Sequence, residues 1–119
     1  MARAVFLNKD GYIEQIYKGD QDYDTVTSAV HKVNKLIEKL QSEGRSVKVI
    51  VNLSEIGKTD SGSREAAVYA LKSWYFDKTA LYGGNVFINN LANLIIRAAR
   101  KQKKVKVFNT RREAYKWLG

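Results

Sequence analysis

The sequence predicts an α/β domain with the element order β-β-α-β-α-β-α-β-α, a mixed five-stranded sheet and four helices. Three observations lead there. Two β-rich runs flank Asp10-Gly11, a strong hairpin signal. A nearly all-apolar, β-branched run at 47–53 follows a segment of helical period, as a buried central strand does. From there helical and strand patterns alternate to the end of the chain, which implies parallel strands joined by right-handed crossovers, with helices across the faces of the sheet.

The elements follow in order. Ala4-Val-Phe-Leu and Tyr12-Ile-Glu-Gln-Ile-Tyr17 form the opening hairpin. Asp22 or Asp24 caps the first helix, whose inner stripe is Val26, Ala29, Val30, Val33, Leu36, Ile37 and Leu40. Gly44 suits the position just past its end. After the central strand, 54–60 reads as a loop, and Asp60-Ser61-Gly62-Ser63 offers several caps for a second helix. That helix is expected to bury Ala67, Val68, Leu71, Trp74 and Tyr75. Thr79-Ala-Leu-Tyr82 is a short strand stopped by Gly83-Gly84. A third helix carries Phe87, Ile88, Leu91, Leu94, Ile95 and Ala98 as its apolar set. Val105-Lys-Val-Phe108 is the fifth strand, and Thr110-Arg-Arg-Glu113 has the spacing of a capping box for a last helix facing inward with Ala114, Trp117 and Leu118.

At 119 residues, with no low-complexity linker and no internal repeat, the chain reads as one domain over 1–119. It has no cysteine, so there is no disulfide framework, thiol nucleophile or Cys-ligated metal. One histidine, His31, sits off the inner stripe of the first helix and reads as a surface residue. A single histidine makes no metal site unaided, and no carboxylate pair stands in an acid/base context. The sequence therefore predicts no catalytic residue, metal or cofactor. The Met1 start lacks the apolar core of a leader, and no run approaches 18 apolar residues, so a cytoplasmic protein without a membrane span is expected.

The net charge is +9, but it is not evenly spread. From Arg97 onward nine basic residues face one acid, leaving twelve bases and eleven acids before it. Arg97, Arg100, Lys101, Lys103, Lys104, Arg111 and Arg112 make a basic patch that could meet nucleic acid or an acidic protein. The plainer reading is a solvated helix end, where cations offset the dipole.

Three stretches carry a family likeness. Val49-Ile-Val-Asn-Leu-Ser54 followed by Asp60-Ser61-Gly62 looks like a strand, loop and Asp-Ser helix start. The element order and the ending Val107-Phe-Asn-Thr-Arg-Arg-Glu-Ala-Tyr-Lys-Trp-Leu118 match as well. In these features the chain resembles the SpoIIAA-like group of the STAS superfamily, whose best-known members are anti-sigma factor antagonists. The resemblance implies a single STAS-like domain that is regulatory rather than an enzyme. It implies an anti-sigma-type kinase as protein partner, a homodimer, and Ser61 as the phosphorylated residue. The family motif reads Asp-Ser-Ser-Gly and then apolar residues, where this chain has Asp60-Ser61-Gly62-Ser63-Arg64-Glu65, and Asn52 stands where an Asp is usual.

Two further constellations follow from the pattern. The loops after the third, fourth and fifth strands each lead into a helix N-terminus, a setting that favours anions. Lys58, Ser61, Ser63, Gly84, Asn85 and Arg111 or Arg112 are expected to converge there on a small anionic ligand, or on a phosphoserine at Ser61 or Ser63 in a switch formed with Asp60, against the plainer reading of ordinary capping. Tyr69, Trp74, Tyr75, Phe76 and Tyr82 cluster around the end of the second helix. Core packing explains part of that cluster; the alternative is a pocket for an apolar or lipid-like ligand between Trp74 and Tyr82, a region resembling the cover of a CRAL-TRIO-like cleft.

Overall fold

The computed structural model describes residues 3–119. Met1 and Ala2, on which the expectation about a leader rests, lie outside the described residues. The elements are β1 (Arg3–Leu7), β2 (Ile13–Gln21), α1 (Tyr23–Ser42), β3 (Lys48–Thr59), α2 (Ser61–Ser73), β4 (Lys78–Tyr82), α3 (Val86–Ala98), β5 (Val105–Phe108) and α4 (Arg111–Leu118). The order and the four-helix, five-strand composition are those the sequence predicts.

The sheet runs β1-β2-β3-β4-β5, with β1 antiparallel to β2 and every later pair parallel. Because the strands follow chain order without reversal, right-handed crossovers carry α1, α2 and α3 to the same face. Their inner residues share one core with Ile13, Tyr17, Val49, Val51, Leu53 and Val105. The other face is covered by α4 alone, through Ala114 and Leu118 on Ile50, Ala80 and Tyr82. The helices are therefore split three to one, rather than shared between the faces as doubly wound sheets share them.

Local chemistry sets the boundaries. Asp22, Asp60 and Thr110 each accept a backbone N–H three residues on, and the third residue's side chain bonds back in all three cases. Gly44 lies at φ +69° just past the end of α1, a conformation that costs glycine little. Among the described residues, no helix is long and apolar enough to cross a membrane.

The structure differs from the sequence reading of the elements at several points, of which three shape the site. Residues 54–59 are strand, not loop: β3 continues to Thr59 beside a β2 that extends to Gln21. The β3–β4 pairing stops at Asn52 and Tyr82, so Glu55 to Thr59 form a two-stranded ribbon with Lys18 to Gln21 beyond the rest of the sheet. Gly57 permits the close approach; a Cβ there would meet Asp20 and lie 2.9 Å from the Gly19 carbonyl carbon. Second, Tyr75 is 60% exposed, because α2 ends at Ser73 and the chain leaves its cap Trp74 extended. Third, α3 turns Ile88, Ala92 and Ile96 inward and leaves Phe87 (69% exposed), Leu94 and Ala98 outward.

Candidate functional site

The pairing of Gln21 with Thr59 at the ribbon tip brings the two following residues, Asp22 and Asp60, to adjacent helix starts. At the second start, the Asp60 carboxylate accepts from Ser63 N–H at 2.8 Å. The Ser63 hydroxyl accepts from Asp60 N–H at 3.1 Å and donates to Asp60 O at 2.8 Å. Arg64 Nε donates to the same carbonyl at 3.1 Å. Ser63 is thus fully committed and only 3% exposed, whereas Ser61, the first helical residue, is exposed. Tyr23 packs beside Gly62, where a Cβ would lie 3.2 Å from that of Tyr23. The exposed face of α2 continues from Ser61 through Glu65 to the exposed Tyr69, at helical spacing.

The expected convergence of anion-binding groups divides into separate clusters. Lys58 lies on the ribbon with an exposed side chain, its N–H held by Asp20 Oδ1 at 2.8 Å. Gly83 sits against Ser54, six strand residues before Asp60, a chain path of about 20 Å. Gly84 abuts Ile88 and Asn89 of α3, and Asn85 caps that helix through Ile88 N–H at 2.8 Å. The cause is the extension of β3: the helix start that was expected beside β4 has been carried to the ribbon tip.

Nor do Trp74 and Tyr82 share a pocket. Side chains alternate along β4, so Thr79 and Leu81 face α2 and α3 with Trp74, while Ala80 and Tyr82 face α4. A half-open cavity of about 130 Å³ lies on the Trp74 side. Tyr82 instead accepts from Arg111 at 2.9 Å on the opposite face.

The basic residues also fall into two groups. Arg97, Arg100, Lys101, Lys103 and Lys104 gather where α3 passes into β5, with Lys101 Nζ 5.9 Å from the Phe76 ring centre. Arg111 and Arg112 stand past the other end of β5, at the start of α4. Arg111 forms a two-pronged bond to Glu14, Nη1 to Oε2 at 2.9 Å and Nη2 to Oε1 at 3.1 Å. It also lies 4.9 Å from the Tyr115 ring centre, and Asn8 donates to both Glu14 and the Tyr115 hydroxyl. These bonds from Arg111 hold the Glu14 carboxyl below its ordinary range, against the opposing effect of its burial. They raise the Arg111 guanidinium in turn. Burial, reinforced by its bond to Asp10, pushes the Tyr115 hydroxyl up.

Sequence reasoning missed this network. A carboxylate between Ile13 and Gln15 in a strand signals a partner, but nothing in the sequence points to a partner 97 residues away. Among the described residues no group of three or more acidic or histidine side chains could hold a metal.

A family model described as "Domain of unknown function (DUF7793)" matches residues 6–119. The chain belongs to the DUF7793 family. A search of the curated proteins gives no match. Among solved structures, one similar fold is a protein of the DUF3478 family with a SpoIIAA-like fold from Shewanella loihica PV-4. It shows a TM-score of 0.63 and 15% identity over 99% of this chain and 93% of that one. Another is the anti-sigma factor antagonist SpoIIAA in its unphosphorylated form, with a TM-score of 0.56 and 14% identity over 94% of this chain and 92% of that one. This DUF7793 domain therefore has the SpoIIAA-like fold that its ending and element order resemble.

Proposed function

We propose that this DUF7793 domain is a non-catalytic regulatory module. It docks a protein partner of the anti-sigma kinase type on the exposed face of α2 that begins at Ser61, and charge at Ser61 sets the affinity. The observation that carries the reading is the division of labour between the two serines. Asp60 and Ser63 consume each other's polar groups in the cap, while Ser61 stands exposed at the first helical position. Its fold relative SpoIIAA is an anti-sigma factor antagonist described in an unphosphorylated form, which supports the same choice of mechanism. A phosphate on Ser61 would add about −1.5 to −2 charges where the helix dipole and free N–H groups favour an anion. It would stand on the same helix face as Tyr69 and beside Tyr23, two exposed rings of the kind that anchor protein interfaces.

The test compares wild type, Ser61→Asp and Ser61→Ala against a partner captured from the native host and then purified. Titration calorimetry should show the Asp variant shifted at least about tenfold in Kd, and the Ala variant within about twofold of wild type. Equal binding by all three variants ends the reading.

A further inference from the structure

Helix α3 is apolar on two faces, and the fold covers one of them. Ile88, Ala92 and Ile96 turn inward. Val86, Phe87, Asn90, Leu94, Arg97 and Ala98 are all exposed and fall at the spacing of a single outward face. Val86 is 77% exposed, Phe87 69% and Leu94 58%. The outer face of a surface helix is ordinarily polar, so three bare large apolar side chains on one strip ask for a cover.

The end of the same helix is cationic. Arg97 lies one turn on from Leu94, and Arg100, Lys101, Lys103 and Lys104 follow in the passage to β5. Among the described residues, none of these five side chains is in an ion pair. No acidic residue lies between Asp77 and Glu113, and the Asp77 carboxylate accepts from Val47 N–H at 2.8 Å. Arg100 lies at φ +58°, the one positive φ among the described non-glycine residues. Its N–H bonds to Arg97 O at 3.0 Å and that of Lys101 to Ile96 O at 3.1 Å, a helix-ending turn whose left-handed residue is commonly glycine. A cation thus stands where the backbone favours glycine.

We propose that this face of α3 docks on an anionic lipid bilayer, with Phe87 and Leu94 entering the acyl boundary and the cations against the headgroup phosphates. The extent of the patch and the pairing of its two chemistries choose this occupant. A helix of 13 residues is about 20 Å long and about 10 Å wide, so its face offers about 200 Å². A protein interface takes about 800 Å² a side. A nucleic acid would take up the cations and leave Val86 and Leu94 in water. A bilayer accepts both, with apolar side chains seated just beneath a layer of phosphates, and two such signals together hold where one alone does not. The site is separate from the α2 face that carries Ser61 and does not depend on a partner there.

The test sediments the full chain with phosphatidylcholine vesicles, alone or with phosphatidylglycerol at about one lipid in three. The chain should bind the mixed vesicles at low salt, bind pure phosphatidylcholine at least about tenfold more weakly, and leave the mixed vesicles at about 0.5 M salt. Phe87→Ser combined with Leu94→Ser should weaken binding at least about tenfold, through the apolar burial lost. Arg100→Gly removes one charge at a position that suits glycine and should weaken binding about fivefold. Lys9→Gln makes the same charge change in the β1–β2 turn, at the far edge of the sheet, and should stay within about twofold. Each of these positions is exposed, so every variant is expected to melt as wild type does. No binding to the mixed vesicles at low salt overturns the proposal. Binding that Phe87→Ser with Leu94→Ser leaves unchanged also overturns it, and makes the cluster a site for any polyanion. An equal loss from Lys9→Gln overturns it too, and assigns the binding to net charge.

Discussion

Beneath α1, α2 and α3 the sheet meets a broad apolar layer that retains a 130 Å³ cavity and two unpartnered polar atoms, Trp74 Nε1 and Thr79 Oγ1. Beneath α4 it meets a small, closed cluster whose edge is stitched by the bonds of Glu14, Arg111, Tyr82, Tyr115 and Asn8. The larger layer has area enough to tolerate a void. The smaller one, covered by an eight-residue helix, relies on directional bonds to fix where that helix sits. Area and specificity are thus divided between the two sides of one sheet.

Truncation should hurt most on the closed side. Leu118 is fully buried in the small cluster, and Leu118→Ala is expected to cost about 3 kcal/mol in urea unfolding. A cost under about 1 kcal/mol would mean that α4 is an accessory to the fold. Enlargement separates the sides more sharply. Ala114 is fully buried in the cluster with Ile50, Ala80 and Tyr82, so Ala114→Leu should cost about 1–3 kcal/mol by overpacking. Ala70→Leu, placed at the cavity, should be neutral or stabilising in the same assay. Equal losses would erase the contrast.

Glu14→Gln gives a smaller effect, about 1–2 kcal/mol at neutral pH. A fully buried pair would lose more, but the Arg111 side chain is 44% exposed and water screens it. The pH dependence has a definite sign. The folded-state pKa of Glu14 lies below the unfolded 4.5, so its stabilisation is complete above about pH 4.5 and is lost as pH falls through the folded-state value. Thermal melts from pH 7 to 3 should therefore fall less steeply for the Gln variant than for wild type. Parallel profiles would show that the pair contributes nothing to acid stability.

Much of the fold is legible in local chemistry. The alternation of periods 2 and 3.6, the caps at Asp22, Asp60 and Thr110, and Gly44 all act within a few residues of themselves. The ribbon is not legible that way. Lys18, Asp20, Glu55 and Lys58 are charged and exposed, and glycines at 19 and 57 interrupt both strands, so no apolar alternation marks them. The exposed Phe87 and Leu94 fail for the converse reason: hydrophobicity says which residues can be buried, not which of two apolar helix faces will be. At the candidate site, the Asp60 cap is readable from four consecutive residues. The different fates of Ser61 and Ser63 are not, because a cap consumes the third helical residue only once the helix start is fixed. The separation of Trp74 from Tyr82 follows from strand parity once α2 is placed on the Thr79 and Leu81 face of the sheet.

The Glu14–Arg111 bond also bears on the order of events in folding. It joins the second strand to the last helix across 97 residues, so closing it demands the largest loop entropy of any side-chain bond described on the α4 face except those made by the Tyr115 hydroxyl. Crossover units β2-α1-β3 and β3-α2-β4 can each assemble from nearer neighbours first. The carboxylate–guanidinium fork then acts as a latch set after the barrier has been crossed. Loss of it in Glu14→Gln should quicken unfolding and leave the refolding rate nearly unchanged. On that outcome, this one ion pair would govern the persistence of the native state in time more than the speed of reaching it.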